Sequence, residues 1–303
     1  MPYLLLLRPH QWSKNVFLFA AIVFARKLGD WPSVVAALTG FACFCLLSSS
    51  IYVMNDLHDY KEDRLHPKKK SRPIASGAVT PSSAAVISIA LMIAGMLGSY
   101  LFLNRAFVAA AGAYLLLQFF YTFLLKHQVL LDVVLIGLGF VIRAIAGAFA
   151  VQVEISPWLI ICTFTLCLFM GFSKRRCELS AFEGNGEASA HQHRKTLAYY
   201  TKDHLNHMTT LSAGIAVVSF MLYASDARTV GQFGTNYLIY TLPLVVYAIF
   251  RFAFLVEHGL VDGPTDVLLR DPPFQISLVL WAIAALTIIN RGPAIRDWFA
   301  AHT

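Results

Sequence analysis

Apolar residues recur along the chain in long blocks that carry few charges. A helix needs about 20 predominantly apolar residues to cross the roughly 30 Å hydrocarbon core of a bilayer. The blocks predict nine membrane-spanning helices. Their approximate bounds are 15–28, 32–54, 82–103, 106–125, 129–149, 157–173, 208–225, 236–255 and 274–290. Arg26 and Lys27 interrupt the short first block, but the many later blocks favour a retained helix over a cleaved signal peptide.

The composition agrees with an all-α integral membrane protein. Hydrophobic residues make up 57% of the 303 residues, which exceeds the roughly 45–50% typical of soluble domains, and the mean hydropathy is +0.62. We therefore expect a single integral membrane catalytic domain over residues 1–303. The five cysteines suggest neither a disulfide framework nor a CxxC metal site.

Basic residues are distributed unequally between the two predicted sides of the membrane. If the N-terminus is cytoplasmic, 16 Lys and Arg residues fall on cytoplasmic segments and six on the other side, while Arg143 and Arg251 lie inside spans. Positive loops tend to stay in the cytoplasm. We therefore predict a multi-pass protein of the cell (inner) membrane with a cytoplasmic N-terminus. Three long cytoplasmic segments, about 55–81, 174–207 and 256–273, are expected to cap the active site.

The net charge of +7 is not accompanied by a nucleic-acid-binding motif. The basic residues gather at one membrane face instead, where anionic lipids and phosphorylated substrates are the expected partners. A homo-oligomer is compatible with the sequence.

Four polar residues at the end of the second predicted span share one helical face. They are Asn55, Asp56, Asp59 and Asp63. No proline occurs before Pro67, so the helix should continue, and at about 100° per residue the four lie at roughly 0°, 100°, 40° and 80°. Clustered carboxylates need a cation, and oxygen ligands suit a hard one. We predict Mg²⁺ here, completed by the oxygens of a diphosphate substrate; a solvated acidic helix end is the alternative.

A basic turn follows over residues 66–73. The three lysines of this turn are explained equally well by the tendency of positive loops to stay in the cytoplasm and by contacts to substrate phosphate. They are Lys68, Lys69 and Lys70. Arg72 stands between a serine and a proline, and this fixed position favours charge-assisted hydrogen bonds to phosphate.

The acidic motif, followed by His66-Pro67 and Arg72-Pro73, resembles the first aspartate motif of the UbiA prenyltransferase superfamily. The predicted nine-helix hydropathy extends the resemblance over nearly the whole chain. It implies a Mg²⁺-bound diphosphate as leaving group. The second Asp-x-x-x-Asp motif of typical members is missing, since the chain reads Lys174-Arg175-Arg176-Cys177-Glu178 at that place.

The order of further motifs resembles the decaprenyl-phosphate phosphoribosyltransferase branch of that superfamily. The motifs are Arg8-Pro9-His10-Gln11-Trp12-Ser13-Lys14-Asn15, Tyr121 with Leu125-Lys126-His127, Ile142-Arg143-Ala144, Lys174-Arg175-x-x-Glu178 and Asp266-x-x-Leu269-Arg270-Asp271. This resemblance implies transfer of 5-phosphoribose from phosphoribosyl pyrophosphate to a polyprenyl phosphate, with release of pyrophosphate. It also implies a product used in cell wall biosynthesis, as an arabinogalactan precursor.

The motifs and the resemblance together predict a set of site residues. The catalytic residues are Asp56, Asp59, Asp63 and Lys174, and the metal ligands are Asn55, Asp56, Asp59 and Asp63. The substrate-binding residues are Lys14, Asn55, Arg72, Tyr121, Lys126, Arg143, Arg175, Glu178, Arg251 and Arg270. In this interpretation the acidic helix holds metal and pyrophosphate, and the basic residues hold the other phosphates.

Three charged residues in or near spans have structural alternatives. Arg143 lies midway along an apolar span, where a charge is expensive and usually faces a polar cavity; this favours substrate binding, and pairing with a buried acid is the alternative. Asp132 suits a helix cap. Arg251 lies near a span end, from which its side chain could reach the interface.

Two other functions stay open. A UbiA-type prenyltransferase acting on an aromatic acceptor would be expected to carry the second aspartate pair. A non-enzymatic carrier of phosphorylated lipids or sugars would need polar openings on both sides, whereas the polar residues gather on one. Four histidines invite a zinc site, but their polar surroundings without cysteine favour a solvated hairpin. They are His191, His193, His204 and His207.

Overall fold

The computed structural model describes residues 2–65, 69–126, 128–183, 197, 199–261 and 263–302. Every regular element within these ranges is helical. The α-helices are α1 (Pro2–Leu7), α2 (Ala20–Phe24), α3 (Trp31–Asp63), α4 (Pro81–Phe102), α5 (Arg105–Phe120), α6 (Leu131–Ala150), α7 (Pro157–Glu183), α8 (Lys202–Ser225), α9 (Ala227–Phe233), α10 (Leu242–Glu257), α11 (Pro264–Arg270) and α12 (Pro272–His302).

Eight helical segments among the described residues are long and apolar enough to cross a membrane. They are Trp31–Asp63, Pro81–Phe102, Arg105–Leu125, Leu131–Ala150, Pro157–Ser180, Lys202–Ser225, Tyr237–Glu257 and Pro272–Trp298. The chain is therefore a multi-pass membrane protein. The predicted count of nine spans is not confirmed.

The difference lies at the first predicted span, 15–28. Residues Pro9–Phe19 form a 3₁₀ helix, and only Ala20–Phe24 are α-helical. Arg26 follows in the left-handed region with a φ of 58°, which a residue inside an α-helix does not adopt. The buried Asn15 amide donates to polar atoms of α3. Residues 9–24 thus form short helical turns packed on α3, and the first predicted span is not confirmed.

The predicted loops are partly helical. α3 continues through Asp63, as the absence of a helix breaker predicts. α7 extends ten residues past its predicted end at 173, so the basic motif at 174–178 stands on a helix rather than on a loop. The third segment contains α11. Six of the residues named in the sequence analysis lie outside the described part of the chain: His66, Pro67, Lys68, His127, His191 and His193.

Polar side chains and a glycine hold α3 closely against α4. Asp30 caps the start of α3 by accepting a hydrogen bond from the Ser33 amide at 3.2 Å. Within the span, Ser50 and Ser88 donate to each other's backbone carbonyl oxygens at 2.8 and 2.9 Å. Such pairs stabilise helix contacts in lipid, where apolar surfaces alone give little preference. At Gly95, an added Cβ would lie 2.7 Å from the end of the Leu47 side chain, so a larger residue would require that buried side chain to shift.

Contacts divide the chain into two compact units. The first unit comprises Met1–Lys126 and Gly139–Glu154, and the second comprises His127–Leu138 and Ile155–Thr303. The core of the first unit includes Phe44, Phe107 and Tyr114. The core of the second unit includes Phe169, Phe252 and Phe274.

Candidate active site

The acidic face of α3 is the centre of a charged cluster in the first unit. Asp56 and Asp63 are 2% and 3% exposed, whereas Asn55 and Asp59 are half-buried. Buried carboxylates need partners, because an unpaired charge is costly away from water. The cluster therefore depends on basic residues brought from elsewhere in the chain.

Two arginines supply this charge. Arg72 Nη1 donates to Asp56 Oδ1 at 3.0 Å and to Asp63 Oδ2 at 2.7 Å, so one guanidinium bridges the two carboxylates. Arg8 Nη2 donates to the same Asp56 oxygen at 2.5 Å. Lys69 Nζ lies 3.8 Å from Asp63 Oδ1. The cluster is thus charge-paired throughout.

The local backbone conformation places the Arg8 and Arg72 side chains beside the carboxylates of α3. Arg72 follows a 3₁₀ turn at Lys69–Ser71, and Ile74 anchors the turn in a core with Leu6 of α1. Arg8 links α1 to the 3₁₀ helix in a left-handed conformation, with a φ of 52°. Non-glycine residues adopt this conformation rarely, often at functional positions. We did not predict Arg8 as a site residue; its place in the quoted N-terminal motif was the available signal.

The third carboxylate faces a different cation. Asp59 Oδ1 accepts a hydrogen bond from Lys126 Nζ at 2.6 Å and lies 2.6 Å from His58 Nδ1. Lys126 directly follows a π-helical turn at Tyr121–Leu125, a feature frequent at functional sites. This turn contains Tyr121 and ends α5 beside the acidic face. His58 is a second residue that the sequence did not single out.

The donor chemistry of this cluster fits a hard divalent cation. Asp56 and Asp63 converge on one guanidinium nitrogen, which marks a place where both carboxylates require positive charge. Among the described residues, no group of three or more His, Cys, Asp or Glu side chains is arranged to hold a metal ion. Asp59 turns toward Lys126 instead. Two carboxylates nevertheless suffice for Mg²⁺, which usually completes its shell with water and phosphate oxygens.

A second basic cluster lies deeper in the first unit. Arg143 of α6 is 3% exposed and donates to Asn15 Oδ1 at 2.8 Å, to the Gly139 carbonyl oxygen at 2.8 Å and to the Tyr114 hydroxyl at 2.9 Å. Its guanidinium carbon also lies 4.7 Å from the centroid of the Tyr114 ring. All three acceptors are neutral. The alternative of a buried acid paired with Arg143 is therefore wrong within the described residues.

Lys14 and Arg8 both lie at the ring of Tyr52, one helical turn before Asp56 on α3. The Nζ of Lys14 lies 5.8 Å from the centroid of the Tyr52 ring, and the guanidinium carbon of Arg8 lies 5.6 Å from that centroid. Burial of the ammonium, followed by repulsion from Arg143 and Arg8, lowers the pKa of Lys14 to about 8. Lys14 is itself an exposed residue, so a ligand can reach it from outside.

The basic motif of α7 forms a separate charged group in the second unit. Arg175 is 2% exposed; its Nε donates to Asp132 Oδ2 at 3.0 Å and its Nη1 to Glu178 Oε2 at 2.6 Å. Tyr200 also donates to Asp132, at 3.3 Å. Lys174 is 59% exposed, with its Nζ 4.0 Å from Glu178 Oε1. This arrangement makes Arg175 a residue that orders the helix around it, and it leaves Lys174 as the accessible cation.

The remaining predicted residues lie on two helices, Arg251 on α10 and Arg270 at the end of α11. Arg251 makes two hydrogen bonds to the Asp271 carboxylate, at 3.1 and 2.7 Å, and this pairing lowers the pKa of Asp271. Arg270 is 76% exposed and lies 3.6 Å from Asp266. Asp266, Arg270 and Asp271 line a cavity of about 180 Å³. The expected lid over the active site stays a prediction.

Comparisons with known proteins identify relatives over most of the chain. The sequence profile of the UbiA prenyltransferase family matches residues 16–265. A decaprenyl-phosphate phosphoribosyltransferase from Mycolicibacterium smegmatis is 36% identical over 286 residues, which cover 90% of this chain and 88% of that protein. A protein of the same name from Corynebacterium glutamicum is 32% identical, covering 95% and 86%.

Solved structures share the fold. A UbiA homolog from Archaeoglobus fulgidus bound to GPP and Mg²⁺ superposes with a TM-score of 0.70 over 96% of this chain and 100% of that chain, at 19% identity. The digeranylgeranylglyceryl phosphate synthase structure superposes with a TM-score of 0.62 over 97% and 95%. At these identities the likeness establishes the fold alone.

Proposed function

The chain belongs to the UbiA prenyltransferase family, and from this premise we propose that it transfers 5-phosphoribose from phosphoribosyl pyrophosphate to a polyprenyl phosphate. Relatives that cover most of the chain at 32–36% identity carry the name decaprenyl-phosphate phosphoribosyltransferase. The observation that carries the proposal is the paired acidic face of α3, where Asp56 and Asp63 share one guanidinium.

In this proposal Asp56 and Asp63 would hold Mg²⁺, and the other two predicted ligands, Asn55 and Asp59, lie on the same face of α3. When bound, the metal neutralises the charge that develops on the departing pyrophosphate. Arg8, Arg72 and Lys126 already carry N–H donors at these carboxylates. With the donor substrate in place, the same groups donate to pyrophosphate oxygens and hold the leaving group in line.

The transfer forms one bond and breaks another at C1 of the ribose. An oxygen of the polyprenyl phosphate attacks C1, and the bond from C1 to pyrophosphate breaks with its electron pair going to pyrophosphate. Because the attacking phosphate is ionised at neutral pH, the site does not need a strong general base. The protein contributes positioning and fixed positive charge.

For residues of the second unit we propose phosphate contacts and the positioning of neighbouring helices. Lys174 is proposed to contact a substrate phosphate, since it is the accessible cation of its motif. Arg175 and Glu178 are proposed to hold that helix in place through the Asp132 pair. Arg251 is proposed to fix the end of α11 through Asp271, so that the exposed guanidinium of the neighbouring Arg270 contacts a phosphate.

We also propose a cytoplasmic active site in the inner membrane, because the donor substrate is water-soluble and basic residues concentrate on that side. The test uses purified full-length protein in nanodiscs, supplied with Mg²⁺, phosphoribosyl pyrophosphate and decaprenyl phosphate. Pyrophosphate release is expected only when all three are present. Asp56→Asn should reduce the rate about 100-fold or more, on the scale of losing one transition-state charge contact.

The matched control is Arg105→Gln, which removes an exposed charge at the other end of α5 from Lys126. Pyrophosphate release that is independent of the lipid phosphate would contradict the proposal. Prenylation of an aromatic acceptor from a prenyl diphosphate would support the alternative prenyltransferase. Movement of lipid phosphate across vesicles without chemical change would support a carrier.

A further inference from the structure

The Arg8 side chain reaches the acidic face from a strained backbone position. Arg8 joins α1 to the 3₁₀ helix with φ 52° and ψ 58°, in the left-handed region, and its Nη2 donates to Asp56 Oδ1 at 2.5 Å. A residue other than glycine is disfavoured in this region and persists there only when the surrounding structure fixes it. The contacts on either side of Arg8 therefore decide whether its guanidinium stays at Asp56.

The hydroxyl of Ser49 on α3 contacts the chain on both sides of Arg8. It donates a hydrogen bond to the carbonyl oxygen of Leu7, the residue before Arg8, at 2.8 Å. It also accepts a hydrogen bond from the indole Nε1 of Trp12 at 2.9 Å. Ser49 is 1% exposed, so water does not compete for either bond. One buried hydroxyl thus fixes the backbone before Arg8 and the 3₁₀ helix after it.

Ser49 and Asp56 lie on the same face of α3. They are seven positions apart, which corresponds to two helical turns and about 10 Å along the axis. On the turn between them, Val53 packs against the buried Leu6 in one core cluster. Successive turns of this face therefore hold the end of α1 and the guanidinium of Arg8 in register with each other.

We propose that Ser49 and Trp12 are positioning residues that hold Arg8 against Asp56. Neither is bonded to a carboxylate of the cluster, and both act through the backbone around Arg8. A guanidinium held in this way needs no further ordering when a ligand binds beside it. The inference deepens the proposed function, in which Arg8 donates to pyrophosphate oxygens, and it rests on that function for the effect on donor binding.

The first experiment measures the coupling between Ser49 and Arg8 without metal or substrate. Unfolding temperatures of the purified full-length protein are compared for wild type, Ser49→Ala, Arg8→Gln and the double variant. If Ser49 acts through Arg8, Ser49→Ala should lower the unfolding temperature less in the Arg8→Gln background than in wild type. Equal decreases in the two backgrounds would overturn the positioning role, because a merely structural hydroxyl does not depend on the charge of Arg8.

Ser50→Ala is the matched control. Ser50 follows Ser49 on the same helix and is equally buried, but its hydroxyl donates to the Ser88 carbonyl oxygen of α4 at 2.8 Å. Its loss should lower the unfolding temperature by the same amount with and without Arg8. Trp12→Phe removes the indole N–H and keeps an aromatic ring. It should depend on Arg8 as Ser49→Ala does, and it keeps the test valid if Ser49→Ala does not fold.

The second experiment follows the consequence for ligands. Mn²⁺ binding without donor, measured by electron paramagnetic resonance, should become about 3- to 10-fold tighter in Ser49→Ala, the scale of one hydrogen bond, because Arg8 competes less for Asp56. Binding of phosphoribosyl pyrophosphate at saturating Mg²⁺ should weaken by a similar factor. In the Arg8→Gln background, Ser49→Ala should change neither affinity.

Wild-type Mn²⁺ affinity in both Ser49→Ala and Trp12→Phe would overturn the proposal. Failure of the proposed function looks different. Protein that shows the coupling between Ser49 and Arg8 in its unfolding temperatures, but binds no phosphoribosyl pyrophosphate, would refute the proposed reaction and retain the positioning role.

Discussion

Arg72 gives the sharpest test of the charged cluster, because one substitution should change two affinities in opposite directions. Its Nη1 stands 3.0 Å from Asp56 and 2.7 Å from Asp63, where a metal ion would bind. In Arg72→Gln the two carboxylates lose a competing cation. Metal binding without donor should therefore become tighter, while binding of phosphoribosyl pyrophosphate should become weaker.

The magnitude follows from the geometry. A unit charge at about 4 Å repels each unit of a cation's charge by about 4 kcal/mol at an effective dielectric constant of 20. Arg72 is 26% exposed, and its side chain can turn toward water. Removing it should therefore recover only about 1.4 kcal/mol of this repulsion energy, which corresponds to a tenfold gain in metal affinity. Loss of its charge-assisted bond to phosphate should weaken donor binding about 10- to 100-fold.

The assay measures Mn²⁺ binding by electron paramagnetic resonance without donor, and then donor binding at saturating Mg²⁺. Arg64→Gln is the matched control. Arg64 directly follows α3, the helix that carries Asp56 and Asp63. Its Nε donates to the Ala75 carbonyl oxygen at 3.0 Å rather than to an acid. The reasoning would be refuted if Arg72→Gln bound Mn²⁺ less tightly than wild type, or bound the donor equally well.

Three further predictions follow from other parts of the chain. Burial and the neighbouring cations Arg143 and Arg8 lower the pKa of Lys14 to about 8, so its charge is lost as the pH rises from 7 to 9. Affinity for phosphoribosyl pyrophosphate should therefore fall over that range in wild type but not in Lys14→Arg; parallel pH profiles would contradict this. Asp132→Asn should destabilise the protein by about 3 kcal/mol, the scale of breaking a buried ion pair, since it removes a carboxylate from Arg175; an unchanged unfolding temperature would contradict it. Gly147→Ala places a Cβ 1.9 Å from a backbone oxygen of the 3₁₀ segment and should lower the unfolding temperature, whereas Gly112→Ala, with open space around it, should not.

The sequence predicted those features that depend on local patterns. The absence of a breaker after the second span predicted that α3 would carry its acidic residues on a helical extension, and α3 does end at Asp63. The resemblance to the UbiA superfamily is confirmed by the family match over residues 16–265. Seven of the nine predicted spans needed only shifts of their ends, and α7 continued well past its predicted end because its basic motif is compatible with a helix.

The features that the sequence did not predict depend on contacts between distant residues. Arg8 reaches Asp56 across 48 positions, and it does so through a left-handed backbone conformation that no local pattern indicates. The partners of Arg143 are likewise 128 and 29 positions away. The first predicted span is not confirmed, and the contact of its Asn15 with Ser48 of α3 likewise joins residues 33 positions apart.

The most direct test of the central claim is the mass of the lipid product. Purified protein is incubated with Mg²⁺, isotopically labelled phosphoribosyl pyrophosphate and decaprenyl phosphate, and the lipid fraction is analysed by mass spectrometry. We predict one new lipid that retains the whole labelled 5-phosphoribose on its phosphate, with one pyrophosphate released for each molecule formed. Labelled lipid that lacks the 5-phosphate, or no labelled lipid beside active prenylation of an aromatic acceptor, would contradict the account.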